Sequence, residues 1–277
     1  MTRSMNDVEK ARFRQYFPNM NVGTVSVSGE TTSVYNCISW TVGVTDRWLW
    51  PGSSISDFDT FYRNWGFART SNGPIAAWGF STTNMTHGNV SGPGHGPRWE
   101  SKCGQDLRIQ HGLGEMEGGV YGRVLAFYSR SRILQETNSV LIANEMKRVP
   151  GVDDFTAESE AVASRVSNIA DENRSDFEEK FNAWKATWFS GVMAVSSNPY
   201  SRTNSIEFAA LISLGPKIIP LIVQKLTDPE NFLALVLFDA LQTEPKLRID
   251  YEATDDRILE GEQGRATRVV QAFLRNS

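Results

Sequence analysis

The sequence changes character at Pro150. Before it, short β-like runs alternate with Gly- and Trp-rich pieces; after it, helix formers recur with 3.6-residue spacing. Such a chain is expected to fold as two bodies, a domain over 1–150 and an all-α helical domain over 151–277, joined at Pro150-Gly151-Val152-Asp153-Asp154. With 277 residues, each body is large enough to bury its own core. Charge follows the same division. The net charge of -4 splits into +3 before residue 151 and -7 after it, which argues against a general nucleic-acid binder, because phosphate contact needs a basic surface. The longest apolar runs, Ile218 to Val223 and Phe232 to Phe238, fall short of the roughly 18 residues of a membrane helix. Charges occupy the first ten residues, where a signal peptide would need an apolar core. A cytoplasmic protein without membrane contact is the expectation.

In the first half, Met5 to Phe17 reads as a helix and Val22 to Ser28 as a strand with Val25 and Val27 on one face. Around Cys37, Ile38 and Val42 make an i,i+4 pair, Asn36 is suited to cap a helix and Gly43 to end it. Ser56-Asp57-Phe58-Asp59 has the form of a capping box before Phe61, Tyr62 and Trp65. Five strands follow: Ile75 to Phe80, Met85 to Val90, Arg98 to Cys103, Leu107 to His111 and Val120 to Tyr128. Helices first and an antiparallel meander later is an α+β plan. In the second half Glu158 to Ser190 reads as helical, with Val162, Val166, Ile169, Phe177, Phe181, Trp184 and Trp188 as its buried stripe. Ile206 to Leu214, Lys217 to Leu226, Asn231 to Leu241 and Gly264 to Leu274 read as shorter helices, like a solenoid unit but without an internal repeat.

Two cysteines, Cys37 and Cys103, and three histidines, His87, His95 and His111, leave little room for choice about thiol or imidazole chemistry. A helix N-terminus lowers a cysteine's pKa by setting backbone N–H dipoles against the thiolate, and Cys37 is expected at such a terminus. A histidine would serve it as base and then as acid. His87 is the best candidate, since alternation puts Met85, His87 and Asn89 on one strand face. The bland alternatives are a small buried cysteine and a hydrogen-bonded strand histidine. No H-E-x-x-H or C-x-x-C spacing supports a metal site, and the glycines at 88, 92, 94 and 96 lack the setting of a phosphate loop, so neither metal nor cofactor is expected.

Several ordered motifs carry a resemblance: Asn36-Cys37-Ile38-Ser39-Trp40, Trp48-Leu49-Trp50-Pro51, Thr86-His87, Trp99-Glu100-Ser101-Lys102-Cys103-Gly104, Ile109-Gln110-His111 and Gly119-Val120-Tyr121-Gly122. Over about residues 34 to 130 the chain resembles an uncharacterised family with N-C-I-A-W, T-H-A-A, W-T-S-K-L-G, I-x-H and Y-G motifs, which itself looks like the papain-like thiol hydrolases. Leu211 to Pro216 and Ile219-Pro220-Leu221 resemble a helical domain of hypothetical fungal proteins, which brings no activity. The first resemblance implies a papain-like fold, Cys37 as nucleophile and His87 as its base. Ser39 replaces the usual Ala, Gly88 and Asn89 replace two alanines, and Cys103 stands where an aliphatic residue is usual, which points to a packing role for Cys103. His111, Ser101 and Asn89 are the candidates for orienting the imidazole, with His111 preferred because a second imidazole can accept from the first. Lys102 is a candidate contact for an acidic substrate group.

For an oxyanion, the Cys37 N–H is the natural donor, with Asn36 or Thr32 as a second. Six of eight tryptophans fall in the first 99 residues, and Trp40, Trp50 and Trp99 are candidates to line a substrate groove, core packing being the alternative. The expected function is therefore amide or acyl transfer through an acyl-enzyme on Cys37, ending in hydrolysis of a small-molecule or peptide substrate. Capture of the acyl group by an amine would make an acyl or aminoacyl transferase, with tRNA as the one nucleic acid kept open as donor. The rival class is a non-catalytic helical interaction module fused to a degenerate hydrolase-like domain.

Overall fold

A computed structural model describes residues 2–92, 96–131, 156–167, 169, 171–249, 251 and 255–276. The expected joint at Pro150 to Asp154, and His95, lie outside them. The protein has mixed α and β structure: one eight-stranded antiparallel sheet together with helices. The chain divides into two compact units, Met1–Lys147 with Ala194–Asn198, and Arg148–Met193 with Pro199–Ser277. The short piece Ala194–Asn198 thus belongs with the first unit, although its position in sequence assigns it to the second half.

In unit 1 the strands are β1 (Arg3–Ser4), β2 (Ser26–Gly29), β3 (Phe67–Thr70), β4 (Ile75–Ser81), β5 (Asn84–Gly92), β6 (Gly96–Lys102), β7 (Arg108–His111) and β8 (Arg123–Arg130), in the order β1-β2-β7-β6-β5-β4-β8-β3. The strand expected at Val120 begins only at Arg123, because Gly119 and Gly122 bridge to each other in a turn. Gly122 has φ +76°, and a Cβ there would lie 2.4 Å from the Gly79 carbonyl oxygen, so only glycine fits.

The helices of this unit are α1 (Asp7–Tyr16), α2 (Cys37–Thr41) and α3 (Ile55–Asn64). Asn6 and Glu9 form a reciprocal capping box that starts α1. For α3 the box is made by Ser54 and Asp57, two residues earlier than the Ser56 the sequence suggests. Phe13, Phe17, Val25, Val27, Trp78, Ile109 and Tyr121 form one buried cluster with α1 on one sheet face. On the opposite face α2 sits over Gly88, where a Cβ would come within 3.0 Å of Ile38 Cδ1 and of the Tyr62 hydroxyl. The missing side chain lets this helix lie close to the strand.

The described elements of unit 2 are helical. The stretch expected as one helix to Ser190 is two, α4 (Thr156–Val166) and α5 (Asp171–Thr187). Phe177, Phe181, Trp184 and Trp188 are buried, and the two indoles meet at 90° with centroids 4.8 Å apart. Then come α6 (Gly191–Val195, its end lying in unit 1), α7 (Ile206–Ile212), α8 (Ile219–Leu226), α9 (Leu235–Leu241) and α10 (Gly261–Asn276). Pro216 and Pro229 open the short 3₁₀ turns before α8 and α9, where a missing N–H costs nothing. Among the described residues no single helix is long and apolar enough to cross a membrane.

Candidate functional site

Asn36 starts α2 as expected. Its Oδ1 accepts the Ser39 N–H at 3.0 Å, and its Nδ2 donates to the Leu49 carbonyl at 2.7 Å. The Ser39 hydroxyl accepts the Leu49 N–H at 2.9 Å and lies 2.8 Å from both Asn36 Oδ1 and the Arg47 carbonyl. Ser39, where the resembled motif has alanine, thus ties the helix start to the Arg47–Leu49 loop. Because Asn36 spends its amide on this cap, it is not directed at an oxyanion, as the sequence allowed. Asn36→Ala removes three buried hydrogen bonds, including the one to the Leu49 carbonyl; it should destabilise unit 1 by about 2 kcal/mol, read as a lower urea midpoint at unchanged slope.

Cys37 is fully buried, and burial pushes its thiol up to about 11. The Ser197 hydroxyl, the N–H groups of Gly88 and Ile38, and the Lys102 charge all favour the thiolate, yet desolvation outweighs them. This reverses the expected lowering at a helix N-terminus. The reason is physical: α2 has only five residues, and its start is packed against β5 instead of opening to solvent.

His87 lies on β5 opposite Trp78 of β4. Since successive strand residues face opposite sides, and Gly88 faces α2, the His87 ring projects from the other face. There it stacks on Tyr121 with centroids 3.8 Å apart and planes within 5°. Among the described residues no hydrogen bond joins His87 to Cys37, so the expected thiol–imidazole pair is not formed in this structure.

The histidines instead join each other through a serine. His87 Nε2 lies 3.0 Å from Ser101 Oγ, which lies 2.8 Å from His111 Nε2. His111 Nδ1 is 2.8 Å from the Gly112 carbonyl, an acceptor, so this nitrogen carries the proton and Nε2 carries the lone pair. Ser101 therefore donates to His111 and accepts from His87 Nε2–H. That assignment leaves His87 Nδ1 as a bare acceptor, buried and without a partner. Asn89, on the same strand face, is buried with neither side-chain polar atom bonded. Burial lowers the pKa of both histidines, His87 well below its usual value and His111 to about 4. The sequence thus singled out the members of this chain correctly by type, while their order, with Ser101 between the rings, could not be read from spacing.

Lys102 is buried, and its Nζ donates to the carbonyls of Gly104 at 2.6 Å, Asp106 at 2.7 Å and Thr32 at 3.1 Å. All three ammonium hydrogens are used, which leaves no free donor for an acidic substrate. Thr32 serves as part of this cradle. Each of the three candidate tryptophans packs against a different partner: Trp40 carries the Arg108 guanidinium 4.0 Å over its ring, Trp50 meets Phe58 edge-on at 5.8 Å, and Trp99 packs 6.1 Å from Phe127. Cys103 is a buried member of the α1 core, in keeping with a packing role. Tyr121 belongs to one of the motifs above but no role for it is legible there, and Val195 and Ser197 were missed in the sequence as neighbours of this region, since nothing local announces a contact across 70 or more residues. Among the described residues no group of three or more His, Cys, Asp or Glu could hold a metal ion.

No curated protein and no solved structure matches the chain. Residues 26–129, the stretch from β2 to β8 that holds Cys37, His87, Ser101, Lys102 and His111, match a family model described as a domain of unknown function, DUF7689.

Proposed function

We propose that the chain is a cytoplasmic, non-catalytic interaction protein, in which a papain-like first domain is retained as a scaffold and the helical second half provides a binding surface for a protein partner. The observation that carries this reading is the enclosure of Cys37, with its acidity suppressed and the imidazole chain on the opposite sheet face. A nucleophilic thiol needs solvent access and thiolate character, and both are withheld here. The polar groups that the motifs carry act as buried structure: Asn36 as a cap, Lys102 as a tie between three carbonyls, and Ser101 as a bridge between two imidazoles. In the second half Phe189, Val192, Tyr200 and Ile206 are between 48% and 81% exposed, and these outward apolar groups support placing the partner surface there. Both cysteines are free, in keeping with a reducing compartment.

A second reading is supported by the two backbone N–H groups, of Gly88 and Ile38, that favour the Cys37 anion. It is acyl transfer, hydrolytic or to an amine, from a peptide or small-molecule donor in an opened form of the domain. Iodoacetamide separates the two. Under the first reading Cys37 and Cys103 both label slowly at pH 7, at a rate set by opening of the fold. Rapid labelling of Cys37 well below pH 8.5, abolished by His87→Ala, would establish the acyl-transfer reading in its place.

A further inference from the structure

Ala194–Asn198 is built into unit 1 from a distant part of the sequence, and the way it is held is specific to its backbone. The Ala194 carbonyl accepts the N–H groups of Gln105 at 2.8 Å and Asp106 at 3.3 Å. The Val195 carbonyl accepts the Tyr121 hydroxyl at 2.8 Å, and the Ser197 carbonyl accepts the Trp48 indole N–H at 3.0 Å. Gly104, at φ +53°, has room for no Cβ: one would lie 2.5 Å from the Val195 carbonyl carbon and 2.7 Å from the Ala194 oxygen. Val195 is the side chain that enters the core, and Ser197 is fully buried, its hydroxyl close enough to Cys37 to favour the thiolate.

We infer that unit 1 carries a slot for peptide main chain, lined by Trp48, Gly104, Gln105, Asp106 and Tyr121, and that Ala194–Asn198 fills this slot in cis and covers Cys37. Donors aimed at carbonyls read backbone, so the slot suits a short peptide with one aliphatic residue followed by small polar ones. The lining residues all lie within the stretch that matches the family model, 26–129, and the segment that fills the slot lies outside it. The inference does not rest on either reading of Cys37, because a cover can be tested without turnover.

The test uses the full-length protein with Tyr121→Phe and Val195→Ala, which keep the ring on His87 and shorten the one anchoring side chain. Each change should loosen the segment by about 3- to 10-fold, so the double variant should alkylate at Cys37 about 10- to 100-fold faster than wild type. Millimolar acetyl-Ala-Val-Ser-Ser-Asn-amide should slow that labelling again, as expected for a ligand competing with an occupant held at an effective concentration in the millimolar range. The same peptide with aspartate in place of its valine should not protect. No acceleration, an acceleration matched by the fall in global stability in urea, or equal protection by both peptides would each overturn the slot. Should the double variant fail to fold, Tyr121→Phe alone with the same two peptides decides it.

Discussion

Lys102→Met is expected to lower the unfolding free energy of the first unit by about 3 kcal/mol, because three enclosed carbonyls lose their donor. The ammonium is buried between the carbonyls of Thr32, Gly104 and Asp106, each taking one of its hydrogens. Burial pushes its pKa down to about 8, while the nearby acidic groups of Cys103, Asp106 and Cys37 act to retain the charge. Methionine matches the stem in length but donates nothing, so three enclosed carbonyls lose a partner, at about 1–3 kcal/mol for each that finds no water. Arginine would not rescue it, because a planar guanidinium cannot direct three hydrogens into a pyramidal cradle built around one nitrogen. The measurement is urea unfolding of Lys102→Met and Lys102→Arg at pH 7. A midpoint within experimental error of wild type for either variant would show that the cradle carries no stability.

The same residue shows how far sequence reaches. Trp99 to Gly104 could be read as a strand followed by a turn, since alternation and glycine are local signals. What Lys102 does depends on Thr32, 70 residues earlier, and on a hairpin carbonyl at Asp106, so a lysine aimed outward at substrate was an equally fair reading. Likewise the helix at Cys37 was legible to the residue, because Asn36 and Gly43 are local cap signals. Whether that helix start faced solvent or the sheet was not, because Gly88 on β5 decides it. His87 on a strand was legible by its period-two neighbours, yet the face it shares with Tyr121 instead of α2 depends on which side of the sheet each helix covers. Ala194–Asn198 left no trace in the sequence, for its role lies in carbonyl groups that every residue has.

Acid should unfold the first unit earlier than carboxylate titration alone would predict, and the His87–Ser101–His111 chain gives the reason. Burial holds the folded pKa of His111 to about 4, against roughly 6.5 for an unperturbed histidine. The Gly112 carbonyl and Glu115 favour its charged form but do not offset that cost. Between these two values the unfolded chain binds a proton that the folded chain refuses, so stability falls as pH falls. The contribution is complete above pH 6.5 and is lost progressively toward pH 4, by about 3 kcal/mol for His111 alone at about 1.36 kcal/mol per pH unit. His87 is shifted in the same direction by burial and by its neighbour His111, and adds to the loss over the same window. Protonating His111 Nε2 also turns the acceptor of the Ser101 hydroxyl into a donor, so the relay must reverse through Ser101 and meet His87 Nε2 as an acceptor. Urea midpoints measured at half-unit steps from pH 7 to pH 4.5 should therefore fall steadily, and His111→Gln, which titrates nowhere in that range, should flatten the slope while lowering the midpoint at pH 7. A wild-type profile that stays level from pH 6.5 to pH 5 would mean that these imidazoles reach water when protonated, and that the core around Tyr121 is looser than its packing indicates.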